Sequence, residues 1–581
     1  MARRTIRVVI IGALVLSAML GTVIPANAGD ASLSGTVTAR IGGAPLGDVC
    51  VRLNPAAPNC ATLTDVNGAY FIDLSGAPNG VLWQVQFSRS GYQTGSDFVV
   101  VSGPTTLNFS MVRPPCTAPR TGTPTMSVYL PNITKTLGGP TGFLTPFIVQ
   151  NTGVANTDLE VSFYAFTDGS CVTRRTVAAL KPGTSFADVP NNDVDLPDNA
   201  QFSVVVRSFG SNVVSVVNEH AGAGARAEAL SYDGFSGGAT SVFLPNIVRR
   251  FFGFHTPFIM QNLGSTATTA TAKFVPFDGS APVTSTRNIA PGQSQFIEPN
   301  IEPGLLDGKQ YAVTVTSPQP IAVVVNTHND DASVAAPAAY STDGIVAGGP
   351  NVYGPYAAKN ANNSGRTGTI STIVVQNLST FSVTPTLTFT PLGGGTAQTF
   401  TGPALGAGAA WAFDPRFENG VAGATFCPST STTKCLADGE YSFRAAGSGQ
   451  LAAAVNVISP TSAMGYTGVA VPGSRFFLPN VTRTLGGAAG WTTPIILQSV
   501  SATGATIEWR RFSDGSLVTT QNLTMTAGSA IRIDPLTLPA LSDDTQYAVT
   551  VTGTGGSVAA IVIELALGAD NAMIYEGFGT P

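Results

Sequence analysis

The sequence predicts an all-β chain built as a tandem array of antiparallel β-sandwiches, and three observations carry that prediction. Apolar and polar residues alternate with period two in short runs broken by Gly, Pro, Asn and Asp, the pattern of half-buried strands joined by turns. Gly and Pro number 64 and 40 of 581 residues, while charged residues make up 11%; the usual shares are about 12% for Gly plus Pro and about 25% for charge. One stretch, V-Y-L-P-N-I-T-K-T-L-G-G-P-T-G-F-L-T-P-F-I-V-Q-N from Val128 to Asn151, returns at 242, at 476 and, in worn form, at 352. Its spacing of about 110 to 125 residues is that of a domain rather than of a solenoid or propeller unit.

A single core stops growing at about 250 to 300 residues, so a chain of this length divides. The repeats supply the cuts: a leader at 1–28, a first module at 32–113, and four related modules at 120–236, 237–347, 348–471 (the divergent copy) and 472–581. In the leader, Arg3, Arg4 and Arg7 precede the apolar run Val8 to Leu20 and then Pro25-Ala26-Asn27-Ala28. That is the order of a secretory signal, whose apolar part is shorter than the roughly 20 residues of a spanning helix. Cleavage is expected after Ala28, and no membrane span is expected in the mature chain. A net charge of −5 without long like-charge runs gives no electrostatic reason to bind nucleic acid.

The first module reads S-G-T-V from Ser34, G-A-P-L-G-D-V-C-V-R-L from Gly43, T-D-V-N-G-A-Y-F from Thr64 and S-R-S-G-Y from Ser88. Asp65-Val66-Asn67-Gly68 marks a tight hairpin, because Gly68 can take the positive φ such turns need. These motifs resemble the carboxypeptidase regulatory-like domain. The resemblance implies a transthyretin-like seven-stranded sandwich that accompanies another activity, within a fold group that includes carbohydrate binders.

The four repeats each offer seven or eight strands and no convincing helix, which favours an immunoglobulin-like sandwich. Asp168-Gly169-Ser170, Asp278-Gly279-Ser280 and Asp514-Gly515-Ser516 are hairpin turns, replaced in the third repeat by Gly393-Gly394-Gly395. Tyr311, Tyr441 and Tyr547 follow Asp turns at the start of a late strand, a pattern that resembles the tyrosine corner of immunoglobulin-like domains. Phe202 stands there in the first repeat and cannot make the bond. Each unit closes on a Tyr-Gly phrase: Tyr232 with Gly234, Tyr340 with Gly344, Tyr466 with Gly468, and Tyr575 with Gly577. The L-P-N of the opening phrase is expected to be a turn, and the Asn of V-Q-N at 151, 262 and 377 to cap a strand through an Asx turn.

Six cysteines permit about 15 connectivities. The local pairs Cys50 with Cys60, Cys116 with Cys171 and Cys427 with Cys435 each fall within one module and are the expected staples of an exported protein. Gly234-Phe235-Ser236-Gly237-Gly238 satisfies G-x-S-x-G, but a nucleophile elbow needs a strand followed by a helix. Among the histidines, His220 and His328 share a register that Ile458 and Ala566 are expected to fill in the third and fourth repeats, and no metal-ligand spacing appears. The acidic loop Asp193, Asp195, Asp198 and the pair Asp330-Asp331 are candidates for calcium, with solvated loops as the default. Sequons stand at Asn132, Asn480 and Asn522. No catalytic, cofactor-binding or metal-ligating residue is assigned, and no cofactor is expected.

Function is accordingly expected to be structural or adhesive, in a secreted string of sandwiches at a cell surface or in an extracellular matrix or filament, with self-assembly or other surface proteins as partners. The alternative is glycan binding through the first module or through exposed aromatics. Trp83 and Trp491 are the contacts to test, although Trp491, in the position of Phe143 and Phe254, also reads as a repeated hydrophobic plug.

Overall fold

The computed structural model describes residues 31–581 except 41–42, 44, 55–56, 58, 79, 90–91, 113–115, 194, 223–226, 330–337, 567–570 and 581. The predicted leader and Asp330-Asp331 therefore lie outside the described residues. The described chain is all-β, with only single-turn 3₁₀ segments such as Pro190–Asn192 and Pro535–Thr537 between strands. It divides into two compact units, Met1–Arg113 and Pro114–Pro581.

The first unit is a two-sheet sandwich. Ser32–Ala39 pairs antiparallel with Ala69–Asp73, and Cys50–Leu53 lies between Thr62–Leu63 and Val81–Ser88, with Gly95–Val101 at the edge. Pairing is not antiparallel throughout, because Ser32–Ala39 also runs parallel to Pro104–Thr106 and Phe109–Met111. The sheets close on Leu33, Val37, Val51, Val85 and Phe87, all fully buried. The predicted hairpin forms: Asp65 Oδ1 accepts from the N–H groups of Asn67 and Ala69, and Gly68 has φ 73°.

The second unit holds four sandwiches. In the first, one sheet runs Cys171–Leu180, Thr157–Ala165, Ala200–Phe209, Met126–Lys135, and the other runs Ser185–Asp188, Phe147–Asn151, Val213–Ala221, Glu228–Asp233. In the second and third, the two central late strands fuse into single 21-residue strands, Lys309–Asn329 and Gly439–Ser459, which pass from one sheet to the other.

L-P-N is not a turn. Met126–Lys135 is one strand, and its register slips where Leu130 opposes Val204 but Ile133 opposes Phe202. Pro131 has no N–H to give a ladder, so it is accommodated at a β-bulge. The same slip falls between Leu244 and Ile247, Gly354 and Ala357, and Leu478 and Val481. The closing Tyr explains why the bulge is tolerated: Tyr232 Oη accepts from Asn132 N at 3.2 Å and donates to Asn132 O at 2.7 Å. Tyr575 does the same at Asn480, and Tyr466 at Tyr356. In the second sandwich, Thr342 stands where that Tyr would be, and Tyr340 lies two residues earlier.

The tyrosine corners form as the pattern implies. Tyr311 Oη accepts from Leu306 N at 2.8 Å, Tyr547 Oη from Ser542 N at 2.7 Å, and Tyr441 Oη donates to Ala437 O at 2.8 Å.

The repeats are not strung as separate beads. Gln261 of the second sandwich donates to Val204 O of the first, Gln376 of the third to Val313 O of the second, and Gln498 of the fourth to Phe443 O of the third. The fourth then meets the first: Ile148 and Val216 are buried in the hydrophobic cluster of the fourth sandwich, and Ser185 Oγ reaches Pro479 O at 3.4 Å. The four sandwiches thus close into a ring. Sequence repeats specify each module's own core, whereas closure depends on which outer faces meet, and that has no periodic signature.

Candidate functional sites at the repeat junctions

The V-Q-N phrase divides its labour between module and ring. Its Asn works inside the module: Asn151 Nδ2 donates to Ala155 O and Leu180 O, while Oδ1 accepts from Gly153 N, an Asx turn repeated at Asn262 and Asn377. Its Gln works between modules, as above.

Two junctions are built on a buried acid. Glu219 accepts from Asn132 of its own sandwich at 2.9 Å and from Asn326 of the next at 3.0 Å. Glu564 accepts from Asn480 of its own sandwich and from Asn218 of the first at 2.9 Å. Burial raises the pKa of Glu219 to about 7 and of Glu564 to about 8, against the amide N–H groups that favour their ionised forms. Between the third and fourth sandwiches the same positions are Val457 and Ile563, so the contact there is apolar, while Arg532 pairs with Glu440 elsewhere across that junction.

An aromatic plug covers each of these contacts. Phe143 packs edge-on against His328 of the next sandwich at 5.6 Å, and Trp491 against His220 of the first at 5.4 Å. The strand register aligns His220 with Leu565 rather than Ala566, because Val217 and Val562 both oppose the first residue of the matching strand, Phe147 or Ile495. The two histidines are shifted in opposite directions. Burial lowers the pKa of His220 to about 4. Burial also opposes charge on His328, but the hydrogen bond to Glu228 at 3.1 Å and the nearby Glu219 and Glu298 outweigh it and raise its pKa. Beside Trp491, His220, Asn218, Gln546, Glu564 and Met573 line a cavity of about 210 Å³. Its polar groups largely satisfy one another: Gln546 donates to Asn480, and Glu564 is occupied at both oxygens.

The closing strands bring together a third group. Asp233, Asp343 and Glu576 place carboxylate oxygens within 4.8 Å of one another. Thr467 holds the corresponding position in the third sandwich and donates its hydroxyl to Glu576 at 2.6 Å. Sequence reading missed this trio because its members are more than 100 residues apart; the shared position before Gly234, Gly344, Gly468 and Gly577 was the available signal.

The acidic loop proposed for calcium instead wraps a side-chain cation. Lys135 Nζ donates to Asp193 O and Leu196 O and pairs with Asp198 at 3.1 Å, while Asp193 pairs with Arg175. Arg249, Lys359 and Arg483 fill the same role in the other sandwiches, bonding to Glu302 O, Leu436 O and Leu541 O. Ser236 is exposed and leads into the strand Ala239–Arg249, so no nucleophile elbow exists there. Trp83 lies half-buried against the first unit's core. All six cysteines are bonded, as Cys50–Cys60, Cys116–Cys171 and Cys427–Cys435. Asn132 and Asn480 are buried, whereas Asn522 is exposed, as are the further sequon asparagines Asn108 and Asn362.

No family model matches the chain, the first unit included, and no curated protein matches it. Among solved structures, it is similar to BcpA, the major pilin subunit of Bacillus cereus, with 8% identity over 85% of this chain and 95% of that one at a TM-score of 0.14. The RrgB pilus protein of Streptococcus pneumoniae aligns at 7% identity over 75% and 91%, with a TM-score of 0.15. A Thermotoga maritima protein, 1070, aligns at 21% identity over 19% of this chain and 94% of its own, with a TM-score of 0.17.

Proposed function

We propose that this chain is a secreted, non-catalytic structural or adhesive protein of the cell surface or of an extracellular matrix or filament. The observation that carries the reading is how most of its buried acids are used. Glu160 contacts Arg174 and Arg207, Asp188 meets Arg175, Glu302 meets Arg287, Asp414 meets Arg416, and Glu219 and Glu564 join sandwiches. Catalysis needs a polar group held ready for substrate, whereas these are committed to holding the frame. Three disulfides accord with an oxidising compartment. A rigid ring displays its loops at fixed spacing, which suits self-assembly or attachment. Electron microscopy of the mature chain, alone and on cells, tests the reading: filaments, a coat or cell-bound particles are expected, and dispersed particles confined to the medium would overturn it.

The cavity beside Trp491 favours a second reading, in which the protein binds glycans. A sugar face stacked on the indole would be its mode. Binding on a glycan array that disappears in Trp491→Ala supports it; binding that disappears only in Trp83→Ala moves the site to the first unit; no binding rejects it.

A further inference from the structure

Among the described residues, one acidic cluster in the ring has no cationic side chain beside it, although the backbone of Glu576 and Asp233 and the side chain and backbone of Thr467 donate to it. Asp233, Asp343 and Glu576 come from the first, second and fourth sandwiches, each from the residue before the glycine of the closing phrase. Their side chains follow one another around the junction of the four closing strands. Asp343 Oδ1 accepts from Asp233 N at 3.3 Å, and Glu576 Oε1 accepts from both N–H and hydroxyl of Thr467. Burial raises the pKa of all three; the neighbouring carboxylates push Asp233 and Asp343 further up, and no cationic side chain contributes to any of them. The other buried acids described above have an Arg, a His or paired amide donors beside them. A separate observation points to a missing ligand: Oδ1 of Asp233 is sealed from solvent and has no hydrogen-bond partner.

We propose that Asp233, Asp343 and Glu576 bind one divalent hard cation, with calcium the best fit, where the closing strands of the ring meet. The donor set is all oxygen, the set that calcium takes, and excludes the thiolate and imidazole that mark zinc sites. The three oxygens lie within 4.8 Å of one another, so at that limit a point equidistant from them is about 2.8 Å from each, and a small inward movement brings them to the roughly 2.3–2.6 Å of Ca²⁺–O bonds, whereas magnesium at about 2.1 Å demands a tighter set. Thr467 fits as the fourth position: its hydroxyl orients Glu576 and adds no fourth negative charge. Because three sandwiches supply the ligands, the ion would act as a clasp on the ring, and it would compete with protons for the same oxygens.

The test uses the full mature chain, stripped with chelator and returned to calcium at pH 8. Native mass spectrometry is expected to count one Ca²⁺ per chain, calorimetry to give saturable binding, and 1 mM CaCl₂ to raise the melting temperature above that in EDTA. Asp343→Asn and Glu576→Gln are expected to weaken binding at least tenfold, and Asp193→Asn to leave it unchanged. Absence of stoichiometric Ca²⁺ on the wild-type chain at 1 mM, with identical melting in CaCl₂ and EDTA, overturns the proposal, and that measurement does not depend on any variant folding. A melting temperature that responds to pH but not to calcium also overturns it, by showing that protons alone neutralise the trio.

Discussion

Asn218 Nδ2 donates to Glu564 Oε2 over 2.9 Å, joining residues 346 positions apart and closing the fourth sandwich onto the first. Asn326 on Glu219 is the same contact between the first and second. The junction geometry therefore repeats around the ring even where its chemistry changes to Val457 and Ile563.

Closure makes the modules interdependent. A chain ending at Val471 loses the fourth sandwich and uncovers Ile148 and Val216, each worth about 2 kcal/mol of apolar burial. The expected result is a loss of about 4 kcal/mol or more from the first sandwich, with dye-binding apolar surface and a broadened melt. Beads on a string would instead leave the first three sandwiches melting as before, and calorimetry of the truncated and full chains separates the two.

The buried junction acids set a pH dependence. Glu564 titrates near 4.5 when unfolded and at about 8 when folded. A raised folded pKa contributes stability that is complete below the unfolded value and is lost as pH rises through the folded one. Between about pH 4.5 and 8, each such group lowers stability by about 1.4 kcal/mol per pH unit as pH rises. Glu219, at about 7, acts in the same direction over a narrower window. Denaturant unfolding from pH 5 to pH 8 is expected to show the decline, and Glu564→Gln to make it shallower; a slope unaltered in that variant would sink the assignment.

Much of the module was legible in the sequence because its signals are local. Asp168-Gly169-Ser170 encodes its own turn, with Ser170 N bonded to Asp168 Oδ1 and Gly169 at φ 74°. The cysteine pairs are short-range for the same reason. L-P-N misled because Pro and Asn favour turns, while the deciding partner, the Tyr232 hydroxyl, lies 100 residues away. The junction acids and the Asp233, Asp343 and Glu576 trio were invisible because a lone Glu or Asp in a strand reads as solvated until the facing module is placed.

The tyrosine corners give a graded test of one hydroxyl. Tyr547 Oη is the partner of Ser542 N in a part-buried hydrogen bond, which its removal breaks. Tyr547→Phe is expected to cost about 1 to 1.5 kcal/mol, read from denaturant midpoints at unchanged m-value. Tyr441→Phe, which frees only the carbonyl of Ala437, is expected to cost less. Equal losses would mean that ring packing, and not the hydrogen bond, fixes these loops.

The disulfides are expected to differ in worth according to the chain they close. Cys116–Cys171 spans 55 residues and ties the start of the second unit to the edge strand Cys171–Leu180, whereas Cys427–Cys435 spans 8 within one loop. Loop-closure entropy gives about 4 kcal/mol for the first and about 2.5 kcal/mol for the second. Paired Cys→Ser replacements should therefore lower stability in that order. The longer bridge also fastens the segment in which Arg120 bonds to Asp158 and Glu160, so its loss should free residues 116–125 to protease before the melt begins. If the 427–435 replacement proves the costlier, the local loop rather than the denatured chain governs, and the entropic ordering fails.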